Sequence, residues 1–312
     1  MQNKQVVSVG DINIDIITSP MEALPPRDSQ VIVDGLHIDV GGCAANFSYA
    51  LSKLGADAKL IGCLGCDLFR EFIIGNMGTV EIVPVPAQGA ALKTGITYAF
   101  ALRDGTRTFL TYPGSNRALS MEQINLNEIS GQHLHIASVF LHGLREKSSV
   151  LFGNAREKGM TTSLDTGWDP MGWSEKDRKM VTGLLSETDI FFPNLSEARA
   201  ILNKNNNDNC TDYSKLCRSL KELGPEIIAL KLGREGCFIS GNDEIFIPPV
   251  EITPVDTTGA GDVFDAAFIY SYLNEKDIEF LGKFANAAGA ISALGAGRSR
   301  YPKVEEVMRI LG

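Results

Sequence analysis

The segment Asp256-Thr-Thr-Gly-Ala-Gly-Asp262 has the residue types and spacing of a site that binds an anion and moves a proton. An extended, proline-containing run, Ile245 to Val255, precedes it, and an apolar run suited to a helix follows. Such a turn directs several backbone N–H groups to one place at the positive end of a helix dipole, which favours a phosphate group. A carboxylate beside that place is suited to accept a proton. The segment therefore indicates phosphoryl transfer to a hydroxyl, although Thr, Asp and Gly also serve as ordinary helix caps.

Two further polar clusters, near the N-terminus, follow predicted strands, where ligands of open α/β sheets bind. Asp11, Asn13 and Asp15 are spaced by two, so they share one face of an extended segment and suit the hydroxyls of a polyol. The alternative is a plain exposed strand face. Gly41-Gly42 precedes a helix that carries Asn46 in its first turn, and paired glycines let a ligand approach the backbone. No Gly-Lys-Ser/Thr follows, so this is not a Walker A loop.

Two more clusters lie in the second half of the chain. Asn194 and Glu197 are three residues apart and suit a hydrated Mg²⁺, but the same residues suit a helix cap. Lys231, Gly233 and Gly236 follow a buried strand and suit a nucleotide polyphosphate, with a hairpin turn as the alternative.

The elements that must position these residues alternate between strand and helix. The clearest helix is predicted for residues 44–54, with an apolar face and a terminal glycine. The β-α-β-α order predicts an α/β fold with a doubly wound, mainly parallel sheet and helices on both faces. Alternating residues 12–17 and 30–40, with a hairpin whose Asp104-Gly105 step is a turn signal, predict a small separate β-layer.

Composition limits the classes of function. The chain has 312 residues and a net charge of −9, which argues against binding of nucleic acid or an anionic membrane by the whole surface. No leader-like or membrane-spanning apolar run is present, so we expect a cytoplasmic protein. Cys63 and Cys66 have a C-x-x-C spacing, but no second pair accompanies them, and buried thiols are expected.

In this order, the clusters resemble the PfkB carbohydrate kinase family, also called ribokinase-like. Gly41-Gly42 to Asn46 with residues 62–67 is similar to the family's N-terminal signature, and residues 256–262 are similar to its C-terminal signature. Asn194 and Glu197 match its N-x-x-E motif, and Asp104-Gly105-Thr106-Arg107 resembles its β-lid. The resemblance implies one kinase domain over residues 1–312, with a β-lid formed by about 12–40 and 94–113.

The resemblance also implies roles for residues. Asp262 would be the general base, and the amides of Gly259, Ala260 and Gly261 would form the anion hole. The sugar hydroxyls would contact Asn13, Asp15, Gly42, Asn46 and Asp262. The bound ATP would lie along Asn194, Lys231, Gly233, Gly236, Gly261 and Asn286. Mg²⁺ would be held through water by Asn194 and Glu197, and K⁺ by Asp256 and Thr258.

The acceptor is less well defined by sequence. The segment Leu164 to Pro170 lacks an arginine for a sugar carboxylate, which disfavours an acidic sugar. Ribose is left in doubt because the preceding strand does not end in the usual glutamate; His142 would take that place or be a packed loop histidine. The predicted lid carries four aromatic residues, Tyr98, Phe100, Phe109 and Tyr112. In a nucleoside kinase they would cover a purine; otherwise they would form the core of the lid or a homodimer interface. The expected activity is an ATP-dependent sugar kinase acting on a primary CH2OH, with nucleoside kinase and catalytically silent sugar sensor as alternatives.

Overall fold

Two β-sheets of different size organise the residues that the computed structural model describes, 5–85, 92–103, 106–204 and 212–312. Within these residues the larger sheet has nine strands, which pair in parallel except near one edge, where the second strand is antiparallel to both of its neighbours. Across the sheet the strands are β13 (Glu244–Ile247), β12 (Cys237–Ser240), β11 (Ile227–Lys231), β10 (Ile190–Phe191), β9 (Thr161–Asp165), β8 (His133–Ala137), β1 (Gln5–Val9), β4 (Asp57–Cys63) and β5 (Glu81–Val85). The predicted α/β fold with a mainly parallel sheet is confirmed.

Helices cover both faces of this sheet. The helices are α1 (Cys43–Lys53), α2 (Phe69–Asn76), α3 (Ser148–Glu157), α4 (Glu175–Leu185), α5 (Leu195–Ile201), α6 (Tyr213–Lys221), α7 (Ala260–Leu273), α8 (Ile278–Ser292) and α9 (Val304–Leu311). One hydrophobic core lies between the sheet and α1, α7 and α8, and the other lies under α3, α4 and α6. Strand β1 shows why both faces are covered, because Val6 belongs to the first core and its neighbour Val7 to the second.

The smaller sheet, which we call the lid, contains the strands β3 (Leu36–Gly41), β2 (Asn13–Thr18), β6 (Gly95–Ala101) and β7 (Arg107–Tyr112), in that order. Strands β2 and β6 are parallel, and the other two pairs are antiparallel. The strands of the lid therefore come from two separate stretches of chain, 13–41 and 95–112.

The two faces of the lid differ in chemistry, because successive residues of a strand point to opposite sides. One row across the sheet is Asp39, Asp15, Thr97 and Thr111. The adjacent row, on the other side, is Ile38, Ile16, Tyr98 and Leu110. We call the side of Asp15 the site face and the side of Tyr98 the opposite face.

Several elements differ from the sequence prediction. The predicted strand 30–40 is wrong over its first half, because pairing with β2 begins only at Leu36. The extended run 245–255 is strand only as far as Ile247, since Pro248 and Pro249 follow and proline cannot donate to a ladder. Strands β5 and β12 were not predicted from the sequence. The predicted Asp104-Gly105 turn lies outside the described residues.

The described cysteines are free thiols, and Cys63 is buried as expected, whereas Cys66 is exposed; Cys210 lies outside the described residues. None of the helices in the described part of the chain has the length and apolar character needed to cross a membrane.

Candidate active site

Asp262 lies in the first turn of α7, at the edge of the sheet where the parallel strands end. The side chain is 8% exposed, and Asn46 Nδ2 donates to Asp262 Oδ2 at 2.9 Å. Gly259 precedes the helix with a φ of 75°, and a β-carbon there would clash with Tyr301 Oη. Because glycine offers no capping side chain, the helix start keeps amides for a ligand. The Ala260 amide is the exception, since it donates to Thr257 O at 3.2 Å.

The surroundings of Asp262 make it a better proton acceptor than an ordinary aspartate. Burial, with the nearby charge of Asp165, raises the pKa of Asp262 to about 8, although the hydrogen bond from Asn46 and the charge of Lys231 act in the opposite direction. A carboxyl group with this pKa is suited to general base catalysis near neutral pH.

A buried ion cluster lies beneath the helix start. Lys231 Nζ contacts Asp165 Oδ2 at 2.7 Å and both carboxylate oxygens of Asp265 at 3.1 Å. Burial alone would raise the pKa of Asp165, but Lys231 and hydrogen bonds lower it to about 2. Burial keeps the pKa of Asp265 well above its usual range, so the charge of Lys231 mainly offsets that of Asp165. The Lys231 ammonium lies next to Gly261 and lines both cavities that adjoin the helix start, and its role along the phosphates stays a prediction.

Polar side chains from distant parts of the chain join on the acceptor side of Asp262. Asn13 donates through Nδ2 to Asp11 Oδ2 at 3.2 Å and accepts at Oδ1 from Asn116 Nδ2 at 2.7 Å. Asp11 Oδ1 in turn accepts from the Ala44 amide at 3.4 Å. Gly42 has a φ of 95°, and a β-carbon there would clash with Asp11 O, so only glycine allows this close approach.

The carboxylates of this side differ in protonation. Burial, followed by the charges of Asp11 and Asp39, raises the pKa of Asp15 to about 7. Burial also raises the pKa of Asp11 to about 6. Burial would raise the pKa of Asp39 as well, but the Arg298 guanidinium, which donates to Asp39 Oδ1 at 2.9 Å, makes the net shift downward.

The predicted K⁺ residues, Asp256 and Thr258, already contact a guanidinium. Arg107 Nη2 lies 2.8 Å from Asp256 Oδ1, and Arg107 Nη1 donates to the hydroxyls of Thr257 at 2.9 Å and Thr258 at 3.0 Å. As arranged here, these side chains do not leave Asp256 open to K⁺, because Arg107 is itself a cation and offers only donors.

A cavity of about 580 Å³ lies on the other side of the helix start. Its lining is mostly glycine backbone and apolar groups, including Gly233, Gly236, Pro249, Val250, Ile252, Ala260, Gly261, Gly289 and Ala290. Polar side chains in the lining include Lys231, Arg234, Glu251 and Asn286. The turn Gly233–Glu235 joins the antiparallel strands β11 and β12, so the hairpin turn that the sequence offered as an alternative is present. Gly233 and Gly236 of this hairpin also line the cavity. Asn286 donates to Pro248 O at 2.7 Å and so joins two walls of the cavity.

Asn194 and Glu197 form a reciprocal cap at the start of α5. Asn194 Oδ1 accepts from the Glu197 amide, and Glu197 Oε2 accepts from the Asn194 amide, both at 2.9 Å. Asn194 also lines a second cavity of about 440 Å³ together with Lys231 and Gly233. Burial and the charge of Asp165 raise the pKa of Glu197 to about 7, so a nearby cation would stabilise its charged form. These amide and carboxylate oxygens fit an indirect role toward Mg²⁺.

Sequence reasoning missed several polar residues of the site: Asn116, Arg107, Asp165, Asp265 and Tyr301. Asp265 follows Asp262 by three residues, so helical spacing was a usable signal for it. Asp165 ends a buried strand, which was a second signal. Asn116 gave no local signal, because only the fold brings it 2.7 Å from Asn13. His142 is buried, with its Nε2 3.2 Å from Ala137 O, as expected for a packed loop histidine.

Comparisons with known proteins agree with this architecture. The model of the pfkB family of carbohydrate kinases matches residues 3–303. A sugar kinase of Archaeoglobus fulgidus is 32% identical over 256 residues, covering 79% of this chain and 96% of that protein. An ATP-dependent ribose-1-phosphate kinase of Halopiger xanaduensis is 28% identical over 313 residues, covering 98% of each. The structure of Arabidopsis thaliana ribokinase complexed with ribose and ATP superposes with a TM-score of 0.79 at 22% identity, covering 99% of each chain. The chain therefore belongs to the pfkB family of carbohydrate kinases and is an ATP-dependent carbohydrate kinase.

Proposed function

We propose that the protein transfers the γ-phosphoryl group of ATP to a hydroxyl, a primary CH2OH, of a small neutral sugar, with Asp262 as the general base. The observation that carries the proposal is the position of Asp262 between two differently built sides. On one side lie the amides of the α7 start and the apolar cavity, and on the other lies the polar cluster around Asn13 and Asp15.

In the proposed step, the acceptor oxygen forms a bond to the γ-phosphorus while the bond from that phosphorus to the β,γ-bridging oxygen breaks. The hydroxyl proton passes to the Asp262 carboxylate, and ADP leaves with the electron pair of the broken bond. Asn46 holds Asp262 in position through its 2.9 Å hydrogen bond. The amides of Gly259 and Gly261 face developing negative charge on the transferred group, which is the most effective use of a helix N-terminus.

ATP would occupy the cavity of about 580 Å³, with its base near Asn286 and Gly289 and its phosphates near Gly233, Gly236 and Gly261. Asn194 and Glu197 would hold Mg²⁺ through its water molecules, and that ion would neutralise charge on the phosphates when bound. Lys231 would offset the charge of Asp165 next to the transferred group, and its ammonium, which lines the same cavity, would lie near the phosphates.

A neutral acceptor is favoured by the charges on its side of the site. Asp11, Asp15 and Asp39 would repel a second phosphate on the acceptor, and each of the cations Arg107, Arg298 and Lys231 already pairs with carboxylates. The Halopiger relative is named for a phosphorylated acceptor, so ribose 1-phosphate is the competing candidate.

A free sugar is favoured over a nucleoside by the lid. Three of the four aromatic lid residues, Tyr98, Phe100 and Tyr112, lie on the opposite face, because they alternate with Thr97 and Thr111 along their strands. Phe109 alone shares the site face, and it is 55% exposed. A single ring offers less stacking surface for a purine than the four aromatic rings that the sequence suggested.

The opposite face also supports a homodimer through the lid. Its exposed apolar residues are Leu36, Ile38, Tyr98, Leu110 and Tyr112. A second copy that covers this patch would remove the apolar surface from water. Sedimentation of the wild type against a Leu110→Glu variant tests this, since a dimer would dissociate in the variant.

The function is tested by ADP release from Mg·ATP with ribose, fructose, fructose 6-phosphate, ribose 1-phosphate, 2-keto-3-deoxygluconate, adenosine, inosine and cytidine. Turnover with a neutral sugar supports the proposal and identifies the acceptor. Turnover only with a nucleoside or only with a phosphorylated sugar contradicts the acceptor class. No turnover with any of them, while ATP binds, favours the sensor alternative.

A further inference from the structure

Arg107 is a lid residue whose side chain reaches the loop in front of the anion hole. It begins strand β7, yet its guanidinium contacts three successive residues of that loop, Asp256, Thr257 and Thr258. The side chain is only 15% exposed, and its carboxylate partner is 6% exposed. A planar guanidinium with several fixed donors is suited to hold a carboxylate and two hydroxyls in one arrangement.

The Asp256 carboxylate has two further backbone donors, one in its own loop and one in another segment. Oδ1 accepts from the Thr258 amide at 2.9 Å, and Oδ2 accepts from the Gly297 amide at 3.2 Å. The next residue, Arg298, donates to Asp39 of strand β3. The carboxylate therefore joins both edges of the lid to the loop that leads into Gly259.

A monovalent cation at Asp256 would compete with this arrangement. Two positive charges within contact distance of one largely buried carboxylate repel each other. Arg107 also offers only donors, so it cannot become a ligand of the ion.

We infer that Arg107 is a positioning residue that supplies, from the lid, the positive charge that orders the Asp256–Thr258 loop, so that this kinase does not require K⁺. Since the charge belongs to the lid, the same contact that holds the lid against the body also fixes the entrance to the anion hole. The kinetic test of this inference rests on the proposed function, whereas the thermal-unfolding test does not.

The test compares the wild type with Arg107→Gln and Arg107→Lys in KCl and in choline chloride at equal ionic strength. Arg103→Gln is the matched control, because Arg103 follows lid strand β6 and its exposed guanidinium pairs with exposed Glu22 at 3.0 Å. Thermal unfolding of the ligand-free proteins and ADP release with the acceptor identified above are both measured.

For the wild type, and likewise for Arg103→Gln, we expect kcat/KM to change by less than about twofold between the two salts. The melting temperature of each of these proteins should be the same in both salts. Arg107→Gln should lose about tenfold in kcat/KM in choline chloride, and should regain activity and gain thermal stability specifically in KCl. Arg107→Lys, which keeps the charge, should remain independent of K⁺.

Three results would overturn the inference: activation or stabilisation of the wild type by K⁺, full activity of Arg107→Gln without K⁺, or a loss in Arg107→Gln that K⁺ does not reverse in either measurement. If no acceptor is turned over by the wild type, the proposed function fails, but the thermal comparison still decides. A K⁺-dependent stabilisation seen in Arg107→Gln and not in the wild type would then support the inference by itself.

Discussion

The acceptor side of the site is lined by charged and amide side chains, whereas the nucleotide side is lined mostly by glycine backbone and apolar side chains. The acceptor side joins residues that are far apart in sequence, such as Asn46 and Asp262 or Asn13 and Asn116. The nucleotide side consists of short local segments around residues 233–236, 249–261 and 286–293. The difference indicates that one side recognises and activates a small polar molecule, and that the other provides shape and amides for a larger one.

The largest effect should come from the residue between the two sides. Asp262→Asn keeps the volume and the contact with Asn46 but cannot accept the hydroxyl proton, so kcat should fall by at least ~10²-fold. The dissociation constant for ATP should change by less than about threefold, because the nucleotide side is untouched. Steady-state kinetics and calorimetric ATP titration measure the two quantities. Near-normal kcat would exclude Asp262 as the base.

A smaller effect is expected on the acceptor side alone. Asn46→Ala removes the hydrogen bond that lowers the pKa of Asp262, so its basic form should appear only at higher pH. In the wild type, kcat/KM for the acceptor should rise with pH up to about 8, where Asp262 loses its proton. In Asn46→Ala this rise should move to higher pH, with about a tenfold loss at pH 7. A loss with an unshifted pH profile would mean that Asn46 acts on the sugar and not on the base.

The matching change on the nucleotide side is Ala290→Phe, which fills part of the cavity of about 580 Å³. We expect the KM for ATP to rise by about fivefold, with the KM for the acceptor unchanged, because steric exclusion acts only on the bound nucleotide. Ser292→Ala, on the same helix but outside this cavity lining, is the control. Equal changes in both KM values would contradict the separation of the two sides.

The difference between the two sides also decides how much of the site could be predicted from the sequence. The nucleotide side depends on local turns, so glycine spacing and helix starts indicated Gly233, Gly236 and Gly259 before any fold was known. The acceptor side depends on contacts set by the fold of the lid. Asn116 gave no local signal, and Arg107, which the sequence indicated only as part of a lid motif, could not be placed against Asp256 without the structure. The main strands and helices were predictable from periodicity, whereas β5, at one edge of the sheet, and β12, next to the other edge, were not.

The last expected effect concerns stability and not kinetics. The raised pKa of Asp262 means that the folded protein binds this proton more tightly than the unfolded chain. This contribution to stability is complete below the unfolded pKa and is lost as pH rises toward about 8. The free energy of unfolding of Asp262→Asn, minus that of the wild type, should therefore increase by about 1–3 kcal/mol from pH 5 to pH 8. Urea unfolding at both pH values measures this gain, and an unchanged difference would show that the Asp262 carboxyl titrates like an exposed one.

The raised pKa values of the site also affect the heat of ligand binding. Asp11, Asp15, Glu197 and Asp262 have pKa values of about 6, 7, 7 and 8, so the ligand-free protein carries a fraction of these protons at neutral pH. A ligand that changes the electrostatic surroundings of these groups changes the number of bound protons, which are exchanged with the buffer. The enthalpy measured for a nucleotide or sugar should therefore depend on the ionisation heat of the buffer, and the slope of that dependence counts the protons exchanged.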